Sequence, residues 1–171
     1  MVALQSDWPT PSNEQRDETL MLLTQDQEMI RDAVRAFAQA ELWPNAAKWD
    51  KEHTFPKAAH QGLAALGAYG ICVPEALGGA NMDYLTVALV LEEIAAGDGG
   101  TSTAISVTNC PVNAILMAYG NAAQKKQWLE PLAQAQLLGA FCLTEPHVGS
   151  DASGLRTTAV KEGDVYVIIG V

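Results

Sequence analysis

Phe141-Cys142-Leu143-Thr144-Glu145-Pro146-His147-Val148-Gly149-Ser150-Asp151 is the stretch on which the reading of this chain turns. Its first half, led in by Gly139 and Ala140, is short and apolar, as a strand would be. Its second half is a polar turn containing a proline and a glycine. A strand opening into such a turn can cradle a cofactor. Strand-end amides and the Thr144 hydroxyl offer hydrogen bonds to a ring. Gly149 allows close backbone approach, and Ser150 adds a hydroxyl beside a ligand.

Downstream, residues 155–160 and 165–169 read as two further strands, with Gly163-Asp164 as the turn between them. Upstream the pattern is helical. Thr24 and Gln27 have the spacing of a capping box, and Ile30, Ala33, Val34 and Phe37 follow at helical spacing on one face. Arg31, Asp32 and Arg35 fall on the other side. Pro44 marks a break, and Pro56 fits the first turn of a second helix running towards Leu66. Val73-Pro74-Glu75 and Gly78-Gly79 form a turn-rich loop. Asp83 can cap a third helix whose stripe is Val87, Val90, Leu91, Ile94 and Ala95. Glu92 and Glu93 point about 100° apart on it, so they are no carboxylate pair but residues of a solvated face or an ion pair. A further helix runs from Thr101 to about Met117, and an amphipathic one occupies residues 121–133. Residues 1–23 lack periodicity and read as a flexible leader, with a short helical turn around residues 18–22.

The 171 residues allow one domain, or one domain and part of another, and 49% apolar residues are enough for a core. Aromatic residues are few and alanine is frequent, which suits packed helices more than a β-sandwich. A net charge of −10 argues against nucleic acid and anionic membranes as partners. It leaves room for a phosphate-bearing cofactor held by backbone N–H groups. The longest apolar run is too short to span a bilayer. No signal or transit pattern is visible, so the expected location is cytoplasmic. Cys72, Cys110 and Cys142 are far apart in apolar stretches and read as buried, reduced thiols. His53 and His60 lack metal-ligand spacing with any Cys, Asp or Glu cluster, so no metal site is expected. His147 reads as an exposed loop histidine.

From Leu23 to Tyr166 the chain resembles the acyl-CoA dehydrogenase family. Cys142-Leu143-Thr144-Glu145-Pro146, followed by Gly149-Ser150-Asp151, matches the family's flavin-site signature. Leu66-Gly67, Gly70-Ile71, Val73-Pro74-Glu75, Gly78-Gly79, Leu91-Glu92-Glu93-Ile94-Ala95, Gly120 and Gln124-Lys125 fall in family order and spacing. The resemblance implies a mainly α fold: a helical N-terminal domain over residues 24–136, then an incomplete, truncated β-barrel, flavin-binding domain over residues 137–171. It implies FAD-dependent removal of two hydrogens across the α and β carbons of an acyl-CoA thioester, in fatty acid metabolism. A glutamate takes the α proton, the β hydrogen leaves as hydride to the flavin, and electrons pass to an electron-transferring flavoprotein. FAD lies near a dimer interface, so a homo-oligomer or a related subunit is an expected partner.

Carried over by position, Phe141, Leu143 and Thr144 contact the flavin, with the backbone of Leu143 and Thr144 at its pyrimidine edge. Gly149 and Ser150 close the cofactor turn, and Ser150 also touches the CoA ligand. Ser102, Thr103 and Ser106 fall where the family lines its acyl pocket; a hydroxyl satisfied within the helix is the equal alternative. The chain departs from the family pattern at Val148, where a small residue is usual, and at Ala135 and Met82, where glycine is common. The family's catalytic glutamate, N5-facing strand and C-terminal helical domain have no counterpart in these residues, so no catalytic residue is assigned and the chain alone is expected to be inactive and to bind FAD weakly. The other reading is a non-catalytic module, or a remnant, that associates with a related subunit through the apolar strand at residues 165–169.

Overall fold

Two hydrogen-bonded caps that share one side chain set the start of the helical layer. In the computed structural model, which describes residues 23–170, the Thr24 hydroxyl accepts from the Gln27 amide at 3.2 Å and the Gln27 side chain accepts from the Thr24 amide at 3.0 Å. This capping box starts helix α1 (Gln25–Phe37). The Gln27 amide nitrogen also donates to both carboxylate oxygens of Asp83 at 3.3 Å. Asp83 in turn accepts from the Thr86 amide and hydroxyl, at 2.9 and 2.7 Å, and caps helix α4 (Tyr84–Gly97). One buried glutamine thereby aligns the N-termini of two helices 56 positions apart. The predicted leader at residues 1–23 lies, except for Leu23, outside the described residues.

A π-helical turn (Ala38–Leu42) ends α1, as expected before Pro44, and helices α2 (Ala46–Glu52) and α3 (Lys57–Ala65) follow. Pro56 sits at the N-cap of α3, one residue before the first turn where the sequence placed it. Helix α5 (Gly99–Val107) starts at Asp98, whose carboxylate accepts from the Thr101 amide at 2.8 Å. It runs through a π-helical turn (Thr108–Asn113) into α6 (Ala114–Tyr119). The wider turn accommodates Pro111, whose ring would clash in a regular α-helix. Helices α7 (Ala122–Gln124) and α8 (Glu130–Ala133), joined by another π-helical turn (Lys125–Leu129), form one rod. Pro131 comes just after that π-helical turn, as Pro111 lies within the one at Thr108–Asn113. Among the described residues no helix is long and apolar enough to cross a membrane.

The core gathers Val34, Leu42, Leu63, Ile71, Val90, Ile94 and Ile105, all fully buried. Ala33 and Ala95, predicted on buried stripes, are exposed, so each stripe is narrower than its sequence pattern. Arg31, Asp32 and Arg35 point outwards as expected, and Arg35 Nε donates to Glu93 at 2.9 Å. Glu93 is therefore the ion-pair member of the Glu92-Glu93 doublet.

In the loop between α3 and α4, residues 68–73 are largely buried and side chains tie down their backbone, before a short 3-10 turn (Glu75–Leu77). Asn109 Oδ1 accepts from the Ile71 amide at 3.2 Å, while its Nδ2 donates to the carbonyls of Ala68 (2.8 Å) and Ile105 (3.1 Å). Asn113 Nδ2 donates to the Tyr69 carbonyl at 2.9 Å. These bonds satisfy backbone groups that would otherwise be stranded in an apolar core. Gly79 is required by close approach: a Cβ there would run into the backbone oxygens of Val73 and Gly70. The fully buried Tyr69 pairs its phenol with His60 Nδ1, and the His60 ring stacks on Phe55 with centroids 4.5 Å apart.

Beyond Ala133 no α-helix follows among the described residues, and the one helical turn there is a 3-10 turn at Ala152–Gly154. Ala135 adopts a left-handed φ of 51°, which explains why glycine suits this position in the resemblance. The β part is one antiparallel hairpin, β1 (Thr158–Glu162) and β2 (Val165–Ile169), with Val160 opposite Val167 and the predicted two-residue turn at Gly163-Asp164. Two strand expectations are corrected. Residues 139–144 form no strand, because none lies beside them to pair with among the described residues. Residues 155–157 do not join β1, because the amides of Arg156 and Thr157 are bonded to a side chain, Glu145.

Candidate functional site

The turn after residues 141–144 is closed by its own backbone. The amides of Glu145 and Val148 each donate to the other's carbonyl, at 3.0 and 3.1 Å. Val148 is thus in an extended pair, which a β-branched residue tolerates well, and its side chain packs towards Gly154. Asp151 then folds the next residues by accepting from the Ser153 amide at 3.2 Å. A Cβ on Gly149 would meet nothing nearer than the Thr144 methyl at 3.9 Å. The space over Gly149 is therefore not used by the chain and is open to a ligand.

Glu145 faces inwards. It is 8% exposed, and its two oxygens accept from the amides of Arg156 and Thr157, each at 2.9 Å. His147 Nε2 lies 3.5 Å from the same carboxylate, giving this histidine a partner that its sequence context did not show. Hydrogen bonding, first from the Thr157 side chain and then from the Arg156 and Thr157 amides, holds the Glu145 carboxyl down at about 2.

Between the 142–145 segment and the hairpin lies a cleft of about 630 Å³, lined by Cys142, Leu143, Thr144, Glu145, Leu155, Thr157, Ile168 and Gly170. Of the predicted cofactor residues, Leu143 and Thr144 line this cleft. Phe141 lies in a separate apolar groove of about 480 Å³ against α6 and the α7–α8 rod, with Ile115, Trp128 and Leu138. Gly149 and Ser150 are exposed on the turn. Thr157, Ile168 and Gly170 went unidentified in the sequence. The signal available was only the alternation of the hairpin, which does not say which face a neighbouring segment meets.

The donor set at the cleft suits the edge of a flavin ring. No hydrogen bond within the described residues engages the amides of Leu143 and Thr144, although the cleft beside them is mostly apolar. Backbone N–H and C=O groups left without partners are the donors and acceptors a pyrimidine edge requires. Cys142 is exposed, which corrects the expectation of a buried thiol, because nothing covers this face of the extended segment; Cys72 and Cys110 are half-buried.

Ser102, Thr103 and Ser106 lie on α5, away from the cleft. The buried Ser102 hydroxyl donates to the Leu91 carbonyl at 3.2 Å, and the exposed Thr103 hydroxyl to the Gly99 carbonyl at 2.9 Å. Ser106 is half-buried, one turn after Ser102. Among the described residues no group of His, Cys, Asp and Glu side chains is arranged to hold a metal ion.

Comparison with known proteins agrees with this geometry. The family described as acyl-CoA dehydrogenase, N-terminal domain, matches residues 24–136. The mitochondrial short-chain specific acyl-CoA dehydrogenase of Rattus norvegicus is 40% identical over 148 residues, covering 86% of this chain and 36% of that protein. The structure of butyryl-CoA dehydrogenase from Megasphaera elsdenii superposes with a TM-score of 0.81 at 33% identity, covering 87% of this chain and 40% of that one. A glutaryl-CoA dehydrogenase from Mycobacterium smegmatis in complex with FADH2 gives a TM-score of 0.82 at 32% identity, over 91% of this chain and 40% of that one. The chain spans less than half the length of each of these relatives. An ordered match of this extent, in sequence and in structure, places the chain in the acyl-CoA dehydrogenase family.

Proposed function

We propose that this chain supplies one wall of an FAD- and acyl-CoA-binding site for α,β-dehydrogenation of an acyl-CoA thioester. The observation that carries the proposal is the backbone at Leu143 and Thr144, unpaired among the described residues, beside a cleft of about 630 Å³. Those backbone groups would hold the flavin's pyrimidine edge. Gly149 and Ser150 would close the cofactor turn, and Ser150 would also meet the CoA moiety. Bound FAD supplies the hydride acceptor. Ser102 and Ser106, one helical turn apart, and Thr103 beside them would border the acyl chain by their small size, since the Ser102 and Thr103 hydroxyls already donate within the helical layer.

Glu145 is the carboxylate at the cleft, and it is a poor proton acceptor. A carboxyl held at about 2, with both oxygens already accepting amides, has little affinity for the α proton of a thioester. Among the described residues no other carboxylate lines this cleft, so the proton acceptor would come from elsewhere in the assembled enzyme, whose expected electron acceptor is an electron-transferring flavoprotein.

Titrating the 171-residue chain with FAD, followed by flavin fluorescence, tests the site. Saturable quenching is expected, and Leu143→Pro, which removes one edge amide, should weaken it strongly. An acyl-CoA panel with a dye acceptor tests the second part. No turnover is expected, and robust turnover would show that a proton acceptor is present after all.

A further inference from the structure

We infer that Glu145 is a positioning residue: its carboxylate fastens the cofactor turn to the start of the hairpin and so sets the width of the cleft between Leu143-Thr144 and Thr157-Ile168. This rests on the flavin reading of that cleft and goes beyond it by assigning a function to a cleft side chain whose two oxygens are both taken up by the chain's own amides.

Three observations carry the inference. First, the segments on the two sides of the cleft share no strand pairing. The ladder pairs β1 only with β2, and residues 142–144 have no ladder partner among the described residues. Second, the connection across the cleft is made by one side chain. Glu145 reaches eleven and twelve positions along the chain, to the amides of Arg156 and Thr157, with both oxygens used at 2.9 Å. Third, the carboxylate is shielded from water at 8% exposure, where charge-assisted hydrogen bonds are stronger than at the surface. Thr157 is both a terminus of this link and a lining residue of the cleft. Its movement would change the opening directly.

The geometry also says why the residue must be a carboxylate. Two parallel N–H groups need two acceptors at one site. Glutamine offers one oxygen and would turn its NH2 group on the second amide. Alanine offers none.

The test uses the 171-residue chain and three proteins: native, Glu145→Gln and Glu145→Ala. Amide hydrogen exchange read by NMR comes first. In Glu145→Ala, the amides of Arg156 and Thr157 should exchange at least about tenfold faster, and in Glu145→Gln one of the two should stay slow. The Ile71 amide, held by Asn109, should be unchanged in both and reports that the helical layer is folded. FAD titration follows. Glu145→Ala should bind about tenfold more weakly than the native chain, with a shifted long-wavelength flavin absorbance band that a merely destabilised protein would not produce. Unchanged exchange at both amides overturns the inference. So does FAD affinity within twofold of native, with an unaltered spectrum. If the native chain binds no FAD, the flavin reading fails instead, and the exchange data alone decide whether Glu145 fastens the turn.

Discussion

The Glu145 carboxylate accepts the Thr157 amide at 2.9 Å, so a residue of the turn holds a residue of the hairpin across twelve positions of chain. The contact has a definite pH dependence. The ordinary carboxyl value is 4.5, and hydrogen bonding, led by the Thr157 side chain, lowers it to about 2 in the folded protein. The unfolded chain therefore binds this proton more readily than the folded one. The stabilisation is complete above about 4.5 and is lost as the pH falls through about 2. In a carbon-13 NMR titration, the Glu145 side-chain carboxyl should still be ionised well below the ordinary carboxyl value of 4.5. A midpoint near 4.5 would show that the two amides do not engage it.

Burial lowers the pKa of His60, and the nearby Asp98 opposes this only in part. The unfolded chain then takes up a proton below its ordinary 6.5 while the folded chain resists. This contribution is complete above 6.5 and shrinks as the pH falls through that value towards the lower folded one. Urea midpoints should decrease from neutral to mildly acidic pH, and His60→Phe should flatten that decrease. An unchanged slope in the variant would assign the pH effect elsewhere.

Tyr69 is fully buried, its phenol is raised to about 12 by burial, and its partner is His60. Tyr69→Phe keeps the ring but strands the imidazole nitrogen. A loss of about 1–2 kcal/mol is expected in urea unfolding at neutral pH. A neutral outcome would mean that the imidazole finds another partner or water.

Asn109 serves three backbone groups with one amide. Asn109→Ala should cost about 2–4 kcal/mol, since it leaves the Ile71 amide and the Ala68 carbonyl buried without partners. Asn109→Asp keeps an acceptor for Ile71 but sets a negative oxygen against the Ala68 and Ile105 carbonyls, so it should not rescue stability. Denaturation of both variants, with native m-values, checks the ordering.

Ala135 sits at a φ of 51°, where its Cβ crowds the backbone. Ala135→Gly should stabilise the chain by about 0.5–1 kcal/mol, the strain relieved exceeding the added entropy of the unfolded glycine. A lower urea midpoint for the glycine variant would contradict this.

Much of the helical layer was legible because it rests on local rules. The Thr24–Gln27 box, the Asp83 cap and the break at Pro44 each depend on residues a few positions apart. What escaped was non-local. Nothing in the sequence says that Gln27 reaches Asp83, or that Asn109 and Asn113 serve a loop some 40 positions earlier. The cofactor segment shows the same limit. The Thr144-Glu145-Pro146 pattern located the turn, and Leu143 and Thr144 do line a cleft. The strand expected there lacks a partner, since pairing depends on what lies alongside rather than on composition. The inward role of Glu145 was hidden for a similar reason: a carboxylate in a polar turn usually faces water, and its amide partners lie beyond the turn.

The π-helical turn at Thr108–Asn113 makes chain length a constraint in its own right. Each helical residue turns the axis by about 100°. A π turn holds one residue more than the α turn it replaces, so losing a single codon there would return the helix to α geometry, set the Pro111 ring against the preceding turn and change the spacing of Asn109 and Asn113, with both amides still encoded. Insertions and deletions should thus be selected against there even where substitutions are tolerated, and an aligned descendant one residue shorter would need a second change to reseat the loop.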